Sequence, residues 1–596
     1  MNSLVWVLVG VLLFWLGATA LKMRGLIPEA VRVSGPIVTI HTKRGKALLD
    51  RLARPKRAWR AWGNFGLGVT VVVMVGTFLV LVWQAVNVVQ NPPPPSAVSQ
   101  PRNVLVIPGV NDFLPLSVAP EIILGLLLGL VVHEGGHGLL CRVGDIDISS
   151  MGVVLFTLLP VGAFVEPDEE SRKCANRGSQ SRMFAAGVTN NFLLTVVAFA
   201  LLFGPVVGSI GVASGAAVGG VLGGSAADDA GIVQGDRIVA VNGQPVESNA
   251  ELGTVLADVP DREVQVTLAG DRTTTIERSL LVTAMAPASP LADTVGIQDT
   301  VAAVNGTPVY TEAGLESELA DRPVATLELE NGSTVTAPMG SLVRVSPGGG
   351  AAEVFPANEH VVITALDGQR VASSADLSAI LDETSPGDEV RVTAYVNGSP
   401  ETHTVTLGSV EGRENGFLGV GVFDGVSGMS VNGFGTRLYP AGQFLDVLGG
   451  SGGGPVVNFV QRVFVSLLLP FASLALPELG FNFAGFVGWN ANFYEVTGPL
   501  AALGGGTFFL ANVLFWTGWI NLNLGFFNCI PAFPLDGGHI LRMGVEAVVA
   551  RLPVENGRDV TRSVTTSVGL LMLVSLVLML FGPQLLNWSR STPTRS

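Results

Sequence analysis

The stretch Leu130-Val131-Val132-His133-Glu134-Gly135-Gly136-His137-Gly138-Leu139-Leu140 decides how the rest of the chain is read. It lies in an apolar run from Pro120 to Cys141, and between Ile122 and Cys141 Glu134 is the only charged residue. At 1.5 Å per residue such a run covers about 30 Å as a helix, the hydrocarbon thickness of a bilayer. The run also holds H-E-x-x-H. Spacing i, i+4 puts both imidazoles on one helix face, one turn apart, where they can share a zinc ion. Glu134 lies beside that face, placed to take a proton from a water that the metal activates. Titratable groups inside a bilayer cost about 2.5–3.5 kcal/mol each, so three in two turns have a purpose.

The whole chain supports a membrane setting. Of 596 residues 48% are apolar, mean hydropathy is +0.50, and only 14% are charged, against about 25% in soluble domains. That excludes a disordered chain, an ordinary cytosolic enzyme and a disulfide scaffold. Uncharged runs at Asn2–Leu21, Asn64–Pro101, Met183–Ala227, Val496–Leu535 and Ser563–Ser589 join the one around His133. They predict a polytopic α-helical protein with about six spans, near 3–21, 64–89, 120–141, 183–208, 503–529 and 563–586. Residues 149–166 are apolar but rich in Val, Thr, Gly and Pro, which predicts a strand pair or re-entrant hairpin.

Charge orients the map. Residues 22–60 carry eleven Lys and Arg against Glu29 and Asp50, a local +9, and so mark the cytoplasmic side. The first run lacks a basic segment before it and reads as an uncleaved anchor with its N-terminus outside. Counting spans then places 211–495 outside. Within it, residues 228–414 carry twenty-nine acids against nine Arg, a local −20, a solvated surface suited to high salt. With only five Lys in the chain, the composition fits a halophilic host. Cys141, Cys174 and Cys529 stand at no ligand or disulfide spacing and read as small apolar residues. Pro92-Pro93-Pro94-Pro95 opens a stiff, non-helical connector.

The acidic block repeats. Val241-Asn242-Gly243-Gln244-Pro245-Val246 recurs at Val304-Asn305-Gly306-Thr307-Pro308-Val309 and at Leu366-Asp367-Gly368-Gln369-Arg370-Val371, at offsets of 63 and 62 residues. Each copy predicts a strand, a tight turn, a short helix beginning near Asn249, Glu312 or Ser374, and further strands such as Val264–Leu268 and Val390–Tyr395. With Gly224-Ser225-Ala226-Ala227 and Gly235-Asp236, the first copy resembles the PDZ domains of bacterial and archaeal proteases, and the others are PDZ-like. Such modules bind extended peptides at a sheet edge, and three in a row also serve as a spacer. The expected layout is 1–117 for two N-terminal spans and the basic loop, and 118–210 for the first half of the membrane core. PDZ-like modules follow at 211–280, 281–345 and 346–410. Residues 411–495 read as a Gly-rich linker with an interfacial or re-entrant helix near Val456–Leu476, and 496–596 as the second half of the core.

Two histidines leave a zinc site one protein ligand short. Asp536 is the only carboxylate between Val496 and Met543, in Asn528-Cys529-Ile530-Pro531-Ala532-Phe533-Pro534-Leu535-Asp536-Gly537-Gly538. It caps a helix or ligates the metal. Depth favours ligation: His133 lies thirteen residues below Pro120, about 20 Å down its helix, and Asp536 lies near the inner end of its own span.

H-E-x-x-H on one span with N-x-x-P-x-x-x-L-D-G on a later one resembles the site-2 protease family of intramembrane zinc metalloproteases, over about 118–210 and 496–586. The resemblance implies Zn2+ held by His133, His137 and Asp536, with Glu134 as the catalytic acid/base. It implies that Asn528 steadies substrate or the oxyanion. Asn191, in Ala186-Gly187-Val188-Thr189-Asn190-Asn191-Phe192, matches a family span motif for a similar role, with Val188 where Pro is usual. Thr497-Gly498-Pro499-Leu500 resembles another family element. His539, His41, His360 and His403 read as interfacial or surface residues, and Glu166 to Glu170 as a solvated charge run.

The expected function is cleavage of transmembrane segments of membrane-protein substrates, in a cell membrane, with no nucleic-acid partner. The alternative class is a non-hydrolytic scaffold, or an ion transporter that uses His133, His137 and Asp536 as a path.

Overall fold

A computed structural model describes residues 3–92, 103, 106–111, 113–410, 414–449, 455–475, 479–553 and 556–591. Most of the proline connector lies outside them. The chain forms two units, one of residues 1–211 with 442–596 and one of residues 212–441.

The first unit is helical. Its main helices are α1 (Ser3–Met23), α2 (Lys43–Leu52), α3 (Lys56–Gln90), α4 (Ala119–Val143), α5 (Arg177–Leu201), α6 (Gly505–Asn528), α7 (Asp536–Val549) and α8 (Gly557–Ser591). Among the described residues, four helices are long and apolar enough to cross a membrane: α3, α4, α5 with its short extension to Ser209, and α8 up to Gln584. Six spans were expected. Helix α1 is described with its side chains only over Val9–Met23, which is shorter than a span. Helix α6 is long enough, but Asn512, Asn521, Asn523 and Asn528 dilute its hydropathy. Pro120 and Glu121 open α4, where a missing amide hydrogen is harmless and a negative charge suits the helix dipole.

The centre of this unit is α4 packed along α5 and α6. Glycine permits the approach. A Cβ on Gly125 would lie 3.0 Å from the Thr517 amide nitrogen, and one on Gly129 would lie 2.6 Å from Asn521 Oδ1. Helix α8 packs on α3, and α7 packs against α8 and α5.

The basic segment expected as a loop is largely ordered. Its strands β1 (Val31–Ser34) and β2 (Ile37–His41) precede α2. The apolar 149–166 segment is a strand pair, β3 (Ile148–Phe156) and β4 (Leu159–Pro167), and the four strands form one antiparallel sheet in chain order. The register Ile37↔Phe156 to His41↔Gly152 joins the two halves, and His41 Nδ1 lies 2.7 Å from Ser150 Oγ. Strand β4 is an edge, packed against α4. Residues 455–468 are helical, with a 3-10 turn at Leu469–Phe471 where Pro470 interrupts.

The second unit contains three sheets of one strand order. Asn242-Gly243, Asn305-Gly306 and Asp367-Gly368 all take positive φ, as tight hairpin turns require. Helices Asn249–Ala257, Glu312–Leu319 and Ser374–Asp382 follow, capped by Ser248, Thr311 and Ser373. Each sheet is completed from a distance. Strands Val420–Val422, Met429–Asn432 and Thr436–Leu438, inside the stretch expected as a linker, pair with the first strands of the third, second and first sheets in that order. The modules are therefore nested, the first closed last. Leu418, Met429 and Phe434 from this ribbon enter the third, second and first hydrophobic cores.

Without the ribbon, three first strands lose their edge partners and each core loses a large side chain. Residues 212–441 produced alone are expected to melt cooperatively, and residues 212–410 are not. Phe434→Ala should cost about 3–5 kcal/mol of that unit's stability. Circular dichroism melts check both, and a cooperative melt of 212–410 would refute the nesting.

Candidate metal centre

His133, Glu134 and His137 occupy consecutive turns of α4, and Asp536 is the first residue of α7. The loop between α6 and α7 folds back tightly. A Cβ on Gly537 would lie 2.5 Å from the Cys529 carbonyl oxygen, and one on Gly538 would lie 2.6 Å from the Ala532 carbonyl carbon. The Asp-Gly-Gly sequence is what lets the carboxylate reach α4.

His133 Nε2 and His137 Nε2 are 3.1 Å apart, and Asp536 Oδ2 lies 3.3 Å from the first and 3.5 Å from the second. Ligands placed tetrahedrally at about 2.0–2.1 Å from zinc stand about 3.3 Å from one another. His133 is 6% exposed and Asp536 8%. His137 is turned by its other nitrogen, Nδ1, which lies 2.8 Å from the Met183 carbonyl oxygen and donates to it. Its Nε2 then presents a lone pair. Asp536 Oδ2 is buried with no hydrogen-bond partner among the described residues. A bare carboxylate facing two ring nitrogens in an apolar bundle needs a proton or a metal cation between them. The donor set fits Zn2+, with three protein ligands and one position free, as in catalytic zinc sites.

Gly187 makes room for the pair: a Cβ there would lie 2.6 Å from His137 Nε2 and 2.7 Å from His133 Cε1. Glu134 Oε2 accepts a hydrogen bond of 2.9 Å from the Val165 amide on β4. The sheet edge and the acidic side chain of the motif are thus in direct contact.

The sequence profile of peptidase family M50 matches residues 121–576. The chain belongs to peptidase family M50. Among curated proteins it is similar to the zinc metalloproteases RasP of Shouchella clausii (26% identity over 200 residues, 33% of this chain and 41% of that protein) and Oceanobacillus iheyensis (27% over 189 residues, 31% and 39%). It is also similar to an uncharacterized protein of Methanocaldococcus jannaschii (27% over 166 residues, 27% and 42%). These matches span about two fifths of the relatives' lengths. The site-2 protease resemblance is borne out at family level.

Not every residue singled out in the sequence joins this M50 centre. Asn191 was expected at the substrate or oxyanion. It is fully buried, and its side chain lies against Nδ1 of His133, away from the point where the ligand atoms converge. Asn528 donates to the Leu524 carbonyl one turn back in its own helix, at 3.0 Å. His539 stacks on Phe184 at 4.3 Å with Phe533 edge-on, outside the ligand group. His403 pairs with Glu401, and His360 is exposed. Gly187, the Met183 carbonyl and the Val165 amide were not legible beforehand. Backbone groups carry no sequence signature, though Gly187 stands in the quoted motif.

Gly187→Ala should lower bound zinc well below one per chain, because its methyl group would displace both imidazoles. Metal analysis of the purified protein checks this. Full occupancy would show that the imidazoles relax around it.

Proposed function

We propose that this chain is an intramembrane zinc metalloendopeptidase that cuts transmembrane segments of other membrane proteins. The observation that carries the reading is the convergence of His133 Nε2, His137 Nε2 and Asp536 Oδ2 beside Glu134 in an apolar helix bundle. Zinc bound there supplies a Lewis acid for the scissile carbonyl. Glu134 takes the proton of the attacking water and returns it to the departing amine.

A substrate helix has its carbonyls in i to i−4 hydrogen bonds and must be locally extended before attack. Strand β4 offers an edge for the extended segment, and the Val165 amide turns from that edge to Glu134. A strand laid along β4 would bring its peptide groups to the same carboxylate.

The proposed topology keeps six spans, with residues 22–60 cytoplasmic and the second unit outside the cell. The three modules of that unit are proposed as PDZ-like substrate contacts that select by bulk and peptide fit. A cleft of about 270 Å³ where the first two modules meet, lined by Leu252, Leu256 and Phe434 on one side and by Glu312 and Ala313 on the other, supports the peptide role. The metal-binding group lies wholly in the first unit.

Glu134→Gln should lower cleavage of a model transmembrane peptide by about 10²–10⁴-fold while zinc content stays at one per chain. Asp536→Asn should lower zinc and cleavage together. Cleavage by the Glu134 variant at the wild-type rate would overturn the peptidase assignment. Replacing 212–441 by a Gly/Ser linker should preserve zinc and cutting of a short peptide, and admit substrates with large outer domains. Loss of short-peptide cutting with metal retained would make the modules part of the machinery. For topology, Gln244→Cys should react with an impermeant thiol reagent on intact cells, and Arg51→Cys should not. The opposite pattern would invert the map.

A further inference from the structure

His133 contains an unresolved conflict of donors. Asn191 Nδ2 lies 3.1 Å from its Nδ1, while Asn191 Oδ1 is buried with no partner among the described residues. If Nε2 offers a lone pair to a metal, a neutral imidazole carries its proton on Nδ1. Two donors would then face each other. The oxygen and nitrogen of an amide have nearly the same shape, so their assignment follows from the network. Turning the Asn191 amide over gives the Nδ1 proton an oxygen acceptor and frees Nδ2 to donate elsewhere.

A second orphan lies at the same junction of helices. Asn521 on α6 is fully buried. Its Nδ2 donates to the Thr517 carbonyl at 2.8 Å, and its Oδ1 has no donor among the described residues. That oxygen covers Gly129, one turn before His133 on α4. The Thr195 hydroxyl contacts both the Asn191 carbonyl (3.0 Å) and the Gly518 carbonyl (3.3 Å), so this turn of α5 abuts the α6 turn that leads to Asn521. An unpaired buried amide oxygen costs about 1–3 kcal/mol, and two at one three-helix junction are not incidental.

We propose that Asn191, braced by Asn521, is a positioning residue that holds His133 in its Nδ1–H form and aims Nε2 at the ligand site. Asn191 Oδ1 accepts from His133 Nδ1, and Asn191 Nδ2 is directed to Asn521 Oδ1. His137 gains the same from the Met183 carbonyl, so each imidazole is fixed from behind by an oxygen. The amide of Asn191 thereby acts through His133 and not on substrate. The inference rests on His133 being a metal ligand, and its test separates the two.

The experiment uses the full-length chain in lipid bilayers, zinc-loaded and chelator-stripped, with 15N-labelled histidine. The His133 signals are those lost in His133→Gln. In both forms of the wild type His133 should keep a protonated Nδ1; in the stripped form Nε2 lies beside the Asp536 carboxylate and takes a proton of its own. Asn191→Asp, which keeps an acceptor oxygen, should retain that signature. Asn191→Leu should lose it and weaken zinc binding about 10–100-fold in chelator competition. Asn521→Leu should shift both readouts in the same direction by less. A stripped wild type with Nδ1 unprotonated, or an Nδ1 signal unchanged in Asn191→Leu, would overturn the proposal whatever the zinc result. A protonated Nδ1 in a protein that binds no zinc would instead refute the metal reading.

Discussion

A carboxylate held against two imidazoles inside an apolar helix bundle is the constraint on which the rest of the structure depends. Asp536 lies 3.3 Å from His133 and 3.5 Å from His137, and it and His133 are buried. In such surroundings an unmatched charge costs several kcal/mol, and the attraction to a divalent cation is correspondingly strong. The geometry must therefore be held by the fold before any metal arrives. Three helices and one loop supply that hold: α4 carries the histidines, α5 backs them, and α6 delivers the turn that ends in Asp536.

Close packing is what makes the hold rigid. In hydrocarbon, helices gain little from hiding apolar surface, so contact comes from small residues that let backbones meet. Gly125 and Gly129 seat α4 on α6, and Gly187 opens the space that the imidazoles fill. Among the polar groups at these seams are backbone carbonyls, Asn side-chain amides and Thr hydroxyls. They cost less to bury than charges and give direction to the ligands. The β4 edge completes the arrangement, because the Val165 amide pins Glu134 beside the ligand group.

The second unit follows a different logic. Its modules are small, and each leaves the first strand of its sheet open on one side. One returning ribbon closes all three, adding a strand to each sheet and an apolar side chain to each core. Such long-range closure ties together in one ribbon what the sequence reads as three repeats. The ribbon is short and glycine-rich, so it looks like a linker until its partners are known.

The sequence by itself determined the apolar helical class, a set of residues able to bind a metal, the family and the threefold repeat. Each of these rests on local information: uninterrupted apolar length, i, i+4 spacing, a lone carboxylate in an acid-free window, and Asn-Gly or Asp-Gly turns at constant offsets. Tertiary structure decided what depends on partners far apart in the chain. Pairing of β2 with β3 turned an expected basic loop into half of a sheet, since strand pairing depends on a complementary edge that no local pattern announces. Asn191 sets its side chain against Nδ1 of His133, because what a residue touches depends on which way its helix face turns. Gly187, the Met183 carbonyl and Asn521 have meaning only at a three-helix junction. There, volume and unpaired hydrogen-bond capacity, not residue type, dictate what fits.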